Sequence, residues 1–310
     1  MHLAELSIWR VKAMIKKAVI PAAGMGTRML PLTKTQPKEM LPLGEKPCIQ
    51  YIVEELAEAG INQILIITGQ KKRSIEDHFD PDMDLNRQLS ESGQKVLLER
   101  LDYENMDIQF FYTRQSTPLG LGDAIFHAKN FINGEPFIIA LGDSVIHSTE
   151  NEPLLKRMLK QYDKHPDSFI LGTREVPMDQ VQRYGIVKPK QELIDDIGDI
   201  IEIEDVVEKP SPRTAPSNLA FAARYIMPPQ IMDALSRTAP GKGGEVQLTD
   251  GIRLLLKEGM RGYSVSITHK EKRYDIGNMP SYYEAFFDFA LADERYGYQL
   301  KQYIIKKLNL

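Results

Sequence analysis

Five charged residues stand beside segments of strand type, where they can meet a phosphorylated ligand. Arg28 and Lys38 follow a short apolar run and a glycine-rich loop. Asp143 comes just after a second apolar run, and Glu208 and Lys209 end a third. Two cations near one loop suit a polyphosphate. A carboxylate at the tip of a strand can hold Mg²⁺ together with water and substrate phosphates, although an aspartate that caps the next segment is an equal alternative. These residues therefore predict a site for phosphate chemistry.

The glycine-rich loop at residues 22–26 follows the predicted first strand at 18–20. A strand that runs into such a loop is where α/β proteins bring the backbone close to a phosphate. Gly24 and Gly26 have no Cβ, so a ligand can touch the main chain there. The loop is not a P-loop, and the third glycine of a dinucleotide fingerprint would fall at Met29. An NAD(P)-dependent oxidoreductase is therefore a less favoured alternative.

Length and composition exclude several classes of protein. The 310 residues suffice for one large α/β domain or two small ones. A net charge of −4 gives no basic field for nucleic acid, and no apolar run approaches the roughly 20 residues of a membrane span. The single cysteine, Cys48, allows no intrachain disulfide. We therefore expect a cytoplasmic protein in which Cys48 packs in the core rather than acting as a nucleophile.

Strand and helix patterns alternate through the first half of the chain. A helical pattern at 49–59 lies between the first two predicted strands, which predicts a right-handed parallel βαβ unit. The alternation is typical of a doubly wound, mostly parallel, Rossmann-like α/β sheet that binds ligands at the carboxyl ends of its strands. Strands are predicted at residues 18–20, 64–68, 108–112, 137–141 and 169–173, and one further helix is predicted at 124–130.

Beyond Pro177 the pattern changes to short strands joined by proline-containing turns. This indicates a small mixed β section that presents a second ligand. After residue 228 the chain is mainly helical and ends in a helical pattern at 281–308, broken near Gly297. We predict an N-terminal extension at 1–13, loosely helical or disordered, and a single domain at 14–310. Its parts are 14–176, 177–278 and the C-terminal helices at 279–310.

Other polar residues stand at places suited to a second ligand or a base. Asp275, after an extended segment, could complete a metal site or bind a sugar hydroxyl, although a simple turn aspartate is an equal alternative. Glu208 and Lys209, at a strand end held by Pro210, are expected to diverge towards two parts of one ligand; an exposed charged pair is the plainer interpretation. The amide of Gln115 can read the edge of a base.

Seven motifs, in this order along the chain, resemble those of the sugar-1-phosphate nucleotidylyltransferases, and particularly the bacterial UTP–glucose-1-phosphate uridylyltransferases. They extend from about residue 16 to residue 278. Any one of them can occur by chance, but the ordered set is highly specific. The motifs are GMGTR at 24–28, PKEMLP at 37–42, GLG at 120–122, EKP at 208–210, APSNLA with RY at 215–225, GEVQLTD at 244–250 and YDIG at 274–277.

The resemblance implies a reaction and roles for these residues. A phosphate oxygen of glucose 1-phosphate would attack the α-phosphorus of UTP with the help of Mg²⁺, and pyrophosphate would leave. The implied catalytic residues are Arg28, Lys38, Asp143 and Lys209. The implied nucleotide-binding residues are Ala22, Ala23, Gly24, Gly26, Thr27, Glu39, Gln115 and Gly120. The implied sugar-phosphate-binding residues are Gly185, Glu208, Lys209, Asn218 and Asp275. The metal would lie on Asp143, with Asp275 as a second ligand.

Several alternatives stay open at this stage. Some relatives carry a second aspartate or Pro-Asp where this chain has Asp143-Ser144, so metal affinity or rate is expected to differ. dTTP or another sugar 1-phosphate can replace the favoured pair, and a catalytically weak paralogue that senses UDP-sugar is a third class. The polar insertion at 80–103 is expected to be helical and to cover the site rim or contact a partner. Apolar residues in the terminal helices indicate a homodimer or homotetramer, or packing on the domain's own sheet.

Overall fold

The computed structural model describes residues 14–190 and 200–309. The predicted extension at 1–13 lies outside the described residues. Within those residues the chain forms thirteen β-strands and eleven α-helices. The strands are β1 Lys17–Pro21, β2 Pro42–Leu43, β3 Lys46–Pro47, β4 Gln63–Thr68, β5 Gln109–Arg114, β6 Phe137–Ala140, β7 Ser144–Ser148, β8 Phe169–Glu175, β9 Gly185–Pro189, β10 Ile200–Glu208, β11 Leu219–Met227, β12 Gly262–Ser266 and β13 Glu271–Asp275.

The helices alternate with these strands as far as β8 and predominate after β11. They are α1 Cys48–Glu58, α2 Arg73–Phe79, α3 Met83–Glu91, α4 Lys95–Glu99, α5 Leu121–Phe126, α6 Lys129–Ile132, α7 Leu154–Lys164, α8 Ile231–Arg237, α9 Leu248–Lys257, α10 Met279–Ala292 and α11 Gly297–Leu308. The predicted break near Gly297 is confirmed, since α10 ends at Ala292. The single helix expected at 124–130 is instead divided into α5 and α6.

One nine-stranded sheet organises the molecule, in the order β5–β4–β1–β6–β11–β8–β12–β10–β9. Seven strands run in one direction, whereas β10 and β11 run in the other. The predicted βαβ unit is confirmed, because β1 and β4 are parallel neighbours joined through α1. The doubly wound α/β fold, with a mixed β section formed by β9 to β11, is confirmed as well.

Each central strand buries both of its faces. In β1, Ala18 and Ile20 pack into one apolar core with α1 and α7, while Val19 packs into a second core with α5, α8 and α9. Successive side chains of a strand point to opposite faces, so a strand covered by helices on both sides is apolar throughout. Burial decreases from the carboxyl end of β1, where Pro21 is half-buried, to the loop that follows, where Gly24 is exposed.

Helix α1 shows why its sequence is helical. Ile49, Ile52, Val53 and Leu56 are fully buried and fall at the i, i+3, i+4 and i+7 positions of one face. Cys48 begins this helix and is fully buried, as expected of a packing residue. Burial raises the pKa of the Cys48 thiol well above its ordinary value, which disfavours the nucleophilic thiolate.

A separate two-stranded ribbon of β7 and β13 was not expected as a pair. The two strands are antiparallel, with Asp275 opposite Ser144.

The insertion at 80–103 forms α3 and α4, followed by a 3₁₀ turn at Asp102–Asn105. No helix within residues 14–190 and 200–309 has the length and apolarity that spanning a membrane requires.

Candidate active site

The predicted catalytic residues meet in one cleft at the carboxyl edge of the sheet. The cleft has a volume of about 1090 Å³ and is lined by residues from both halves of the chain. Seven of the predicted site residues line it: Arg28, Lys38, Asp143, Gly185, Glu208, Lys209 and Asp275. The other predicted residues lie in the loops around the cleft or behind its wall.

The carboxylates of Asp143 and Asp275 are brought together by the β7–β13 ribbon. The N–H of Ile276 donates to the carbonyl oxygen of Asp143 at 2.8 Å. A Cβ on Gly277 would lie 2.8 Å from Asp275 Oδ1, 3.5 Å from Asp143 Oδ2 and 2.7 Å from Arg28 Nη2. Both carboxylates therefore face one small space that only a glycine leaves open.

This donor set fits Mg²⁺. Mg²⁺ prefers one or two carboxylates and completes its octahedron with water and substrate phosphates. Among the described residues there is no group of three or more histidine, cysteine, aspartate or glutamate side chains that could hold a metal ion. Asp143 and Asp275 would therefore hold a metal together with a phosphorylated substrate rather than in a closed protein cage.

Lys38 is held in the cleft by Asp143. Its Nζ donates to Asp143 Oδ2 at 2.5 Å, and both side chains are largely buried. Burial lowers the pKa of Lys38, but the charges of Asp143 and Glu39 outweigh burial and raise that pKa above its ordinary value. Burial likewise raises the pKa of Asp143, and Lys38 more than offsets it, so the pKa of Asp143 is lowered. Both groups are charged at neutral pH.

A second ion pair lies behind the first. Glu39 is fully buried and accepts a hydrogen bond from Lys72 Nζ at 2.6 Å. Burial raises the pKa of Glu39 despite the neighbouring Lys72 and Lys38. Glu39 Oε1 has no hydrogen-bond partner among the described residues. Glu39 thus supports the segment that carries Lys38, and its contact with a nucleotide stays a prediction.

A buried arginine supports Asp143 from the other side. Arg224 is fully buried in β11 and binds Glu55 of α1, with Nη2 2.6 Å from Oε2. The same Nη2 donates to the carbonyl oxygen of Ser144 at 3.1 Å. A β-bulge in β11 places Ala223 at φ +64° and re-aims the next side chain. Arg224 therefore fixes the backbone directly after Asp143.

The glycine-rich loop lies against the cationic side of the cleft. A Cβ on Gly24 would lie 3.4 Å from Lys38 Nζ. Ala22 follows β1 directly, and its N–H donates to the carbonyl oxygen of Ile67 at 2.8 Å. Gly26 has a left-handed φ of +68°. Thr27 then begins the 3₁₀ turn that carries the exposed Arg28. Ala23 is half-buried next to Gly24, and the contacts of these residues with a nucleoside stay predictions.

The predicted base-reading residues form a second loop. Gly120 has a φ of +103°, and a Cβ there would lie 2.6 Å from the carbonyl oxygen of Val246. Gln115 is buried, and its Nε2 donates to the carbonyl oxygen of Gly120 at 3.1 Å and to Asp123 Oδ2 at 2.7 Å. The amide of Gln115 is thus fixed in orientation, which reading a base edge requires.

The opposite wall of the cleft is built from β9, β10 and α9. Glu208 Oε2 accepts a hydrogen bond from the Thr249 hydroxyl at 2.6 Å. Lys209 has a φ of +45°, and its Nζ lies 3.3 Å from Glu208 Oε1. These two side chains converge instead of diverging, because the left-handed turn at Lys209 folds its side chain back. A Cβ on Gly185 would lie 2.5 Å from the Phe221 ring.

Asn218 and Ser144 also lie outside the cleft lining. Asn218 is half-buried just before β11, where its carbonyl oxygen accepts from the N–H of Val176 at 3.0 Å. Ser144, at the position where some relatives carry another carboxylate, is fully buried, and its Oγ has no partner among the described residues. Asn218 as a sugar ligand stays a prediction.

Sequence reasoning missed several residues that line the cleft. Among them are Arg183, Tyr184, Tyr225, Thr249 and Arg273. Thr249 lies inside one of the recognised motifs, and Arg273 precedes Asp275 by two residues and so shares its face of β13. Those two positions were therefore within reach of the sequence. Arg183 and Tyr184 carry no such signal.

The chain matches the family of nucleotidyl transferases over residues 17–290. It belongs to this family, whose members generally use a divalent metal ion. A UTP–glucose-1-phosphate uridylyltransferase 2 of Staphylococcus saprophyticus is 45% identical over 297 residues, which cover 96% of this chain and 99% of that protein.

Solved structures of similar proteins agree with this assignment. A UDP-glucose pyrophosphorylase complexed with UDP-glucose is 40% identical, with a TM-score of 0.80 over 90% of this chain and 100% of that one. A UTP-bound UGPase from Acinetobacter baumannii is 34% identical, with a TM-score of 0.84 over 94% of this chain and 99% of that one.

Proposed function

We infer that the chain transfers UMP from UTP to glucose 1-phosphate and releases UDP-glucose and pyrophosphate. The observation that carries this inference is the cleft itself, in which Arg28, Lys38 and Asp143 lie opposite Glu208 and Lys209. The names of relatives at 43–45% identity agree on this reaction. The chain is an enzyme, a nucleotidyltransferase.

The reaction joins two polyanions, so the protein must position them in line and neutralise their charge. We assign Arg28 and Lys38 to the triphosphate and the departing pyrophosphate, since both are cations beside the glycine-rich loop. We assign Lys209 to the attacking phosphate and Glu208 to the sugar hydroxyls. Their separation of 3.3 Å would let one sugar phosphate meet both side chains.

We propose Mg²⁺ as the metal, held by Asp143 and Asp275. When bound, it would supply positive charge to the phosphate oxygens at the reacting centre. The two carboxylates that face Gly277 support this choice. Pyrophosphate release should stop in excess EDTA and return with Mg²⁺. Full activity in EDTA would contradict the proposal.

The decisive assay is pyrophosphate release from a matrix of four nucleoside triphosphates against several sugar 1-phosphates. UTP with glucose 1-phosphate should give the highest kcat/KM, with dTTP or galactose 1-phosphate accepted less well. A higher kcat/KM with dTTP would move the chain to the thymidylyl branch. Stabilisation by UDP-glucose without any turnover would indicate a UDP-sugar sensor instead.

We propose that the chain forms a homodimer or homotetramer in the cytoplasm. The terminal helices bury Tyr282 but leave Tyr283, Phe286, Phe287 and Tyr298 exposed, and exposed apolar patches mark protein–protein interaction sites. Sedimentation of the full chain and of a Phe286→Glu, Phe287→Glu variant tests the assembly, and a monomeric wild type would refute it. A single buried cysteine and the nucleotide substrate support the compartment, which fractionation of cells can test.

A further inference from the structure

Arg174 of β8 and Arg273 of β13 have no role in the proposed function, and both side chains lie next to the Tyr184 ring. Arg273 precedes Asp275 by two residues in β13, so its side chain starts on the same face as the metal carboxylate. Its Cζ lies 5.8 Å from the centre of the Tyr184 ring. Arg174, at the end of β8, has its Cζ 5.1 Å from that ring and donates from Nη2 to the Tyr184 hydroxyl at 3.0 Å.

These guanidinium groups are short of acceptors. Arg273 Nε and Nη1 and Arg174 Nε are buried and have no hydrogen-bond partner among the described residues. Within residues 14–190 and 200–309, no ion pair closer than 4.0 Å engages either arginine. The nearby carboxylate of Glu271 already forms an ion pair with Arg157, whose Nη2 lies 2.5 Å from Glu271 Oε2. Two like charges with unmet donors are costly to hold together unless an anion joins them.

The pair stands where two cavities meet. The catalytic cleft and a neighbouring cavity of about 760 Å³ share Tyr184, Arg273 and Asp275 in their walls. Arg183 also lines both, and Arg174 lines the smaller one. Two guanidinium groups thus lie against one aromatic ring at the edge of the cleft, and a third arginine lines the same wall. A guanidinium binds a phosphate through two parallel N–H donors, which a single lysine does not offer.

We propose that Arg273, with Arg174 on the same Tyr184 ring and Arg183 in the shared wall, forms a phosphate-binding subsite in the wall of the cleft, in addition to Lys209. The proposal rests on the proposed function, since it adds a binding residue to that same cleft. The ligand is a phosphate group. It belongs either to the sugar 1-phosphate substrate or to a free inorganic phosphate, and both sources present the same acceptor oxygens.

The test compares Arg273→Gln and Arg273→Lys with the wild type and with Lys188→Gln. Lys188 is an exposed cation of β9 that lines neither cavity, so its variant controls for loss of one positive charge. For each protein, one measures KM for glucose 1-phosphate, KM for UTP, and the Kd of orthophosphate by calorimetry. Thermal unfolding checks that each variant is folded.

If the substrate supplies the phosphate, Arg273→Gln should raise KM for glucose 1-phosphate about 10- to 100-fold, with KM for UTP unchanged and partial recovery in Arg273→Lys. If a free anion supplies the phosphate, KM for glucose 1-phosphate should stay constant in Arg273→Gln, while the Kd of orthophosphate rises at least tenfold. Values within twofold of the wild type in both arms overturn the proposal. Arg174→Gln, whose guanidinium lies outside the cleft lining, replaces Arg273→Gln if that variant does not fold.

Failure of this proposal can be told from failure of the proposed function. Orthophosphate binding needs no turnover, so it tests the subsite even in a chain that releases no pyrophosphate. Conversely, if the wild type converts UTP and glucose 1-phosphate while Arg273→Gln matches it in both KM values and in the Kd of orthophosphate, that result would support the proposed function and overturn the proposed subsite.

Discussion

Lys38 Nζ donates a hydrogen bond to Asp143 Oδ2 at 2.5 Å, although 105 positions separate the two residues in the chain. Lys38 comes from the loop after β1 and Asp143 from the loop after β6, and β1 and β6 are parallel neighbours. Parallel neighbours bring their carboxyl ends to one edge of the sheet, so the two loops meet there. The pair therefore joins the side of the cleft that carries the glycine-rich loop to the side that carries Asp275.

Removing one member of this pair should destabilise the fold. Lys38→Met leaves Asp143 without its main partner, and Asp143→Asn does the same to Lys38. Each change should lower the free energy of unfolding by about 3 kcal/mol, the lower end for a buried pair, because both side chains keep some contact with solvent. The double variant should lose less than the sum of the singles in urea unfolding.

The exposed pair of Lys188 and Glu204 is a matched control, since its N···O distance is 2.6 Å. The same double-mutant cycle on this pair should show a coupling free energy close to zero. Equal coupling in the two cycles would mean that burial does not strengthen the Lys38–Asp143 pair. If the losses of unfolding free energy in the two single variants simply add in the double variant, the Lys38–Asp143 pair has no coupling to strengthen.

Lys209 should matter for turnover far more than for stability. Its side chain is about half exposed, so few packing contacts are lost in Lys209→Ala. With Lys209 at the attacking phosphate, as proposed, loss of this one cation should lower kcat on the order of 10²–10³-fold. Pyrophosphate release measures kcat of Lys209→Ala, and near-normal turnover would contradict the proposed role of Lys209. Lys188→Ala removes an exposed cation outside the cleft and should leave kcat unchanged.

Gly185→Ala should harm sugar binding through sterics. The added Cβ would lie 2.5 Å from the Phe221 ring and 3.0 Å from Thr249 Oγ1, and Thr249 holds Glu208. We expect KM for glucose 1-phosphate to rise at least about tenfold, and the free energy of unfolding to fall by about 1–3 kcal/mol. Gly241→Ala, whose Cβ would meet nothing closer than 3.8 Å, should change neither quantity.

Two arginine–glutamate pairs of equal length should differ sharply in strength. Arg224–Glu55 and Arg237–Glu258 both have a shortest N···O distance of 2.6 Å. The Arg224 side chain is 0% exposed, whereas that of Arg237 is 46% exposed. Glu55→Gln should lower the free energy of unfolding by about 3–5 kcal/mol, because a buried guanidinium loses its counter-charge.

Glu258→Gln should give a change too small to measure in the same urea titration, since solvent screens that pair. Glu55→Gln should also lower turnover, because Arg224 holds the Ser144 carbonyl beside Asp143. Unaltered stability of Glu55→Gln would show that the buried pair contributes only specificity.

His78 should make stability depend on pH. Burial lowers the pKa of His78 below its ordinary value of 6.5, although Glu54 opposes this. His78 stacks on Tyr103 and lies 3.1 Å from Gln50 Oε1 through Nε2. Because the folded pKa is depressed, the neutral ring stabilises the fold above the unfolded pKa, and that stability is lost as pH falls through the folded value.

Urea midpoints at pH 7.5 and 5.5 measure this dependence. His78→Phe keeps an aromatic ring on Tyr103 and removes the titration, so its midpoint should change less between the two pH values than that of the wild type. An unchanged slope in His78→Phe would place the titration elsewhere.

The alternation of strand and helix patterns was enough to predict the sheet. In α1 the buried residues repeat at the helical period, and in β1 an unbroken apolar run matches a strand covered on both faces. These signals are local, because each depends on residues a few positions apart. Boundaries were less certain, as the division into α5 and α6 shows. The insertion was predicted as helical, but nothing in its polar sequence says what it covers.

For the cleft, residue types by themselves determined that Arg28, Lys38, Asp143 and Lys209 are suited to phosphate chemistry. Only the tertiary structure decided that Asp143 and Asp275 face one space, because the pairing of β7 with β13 joins segments far apart in the chain. The same holds for Arg224, which a bulge turns towards Glu55, and for Arg174 and Arg273, which meet at Tyr184. Local periodicity encodes which face of a strand is buried, whereas the register between distant segments depends on the packing of the whole sheet.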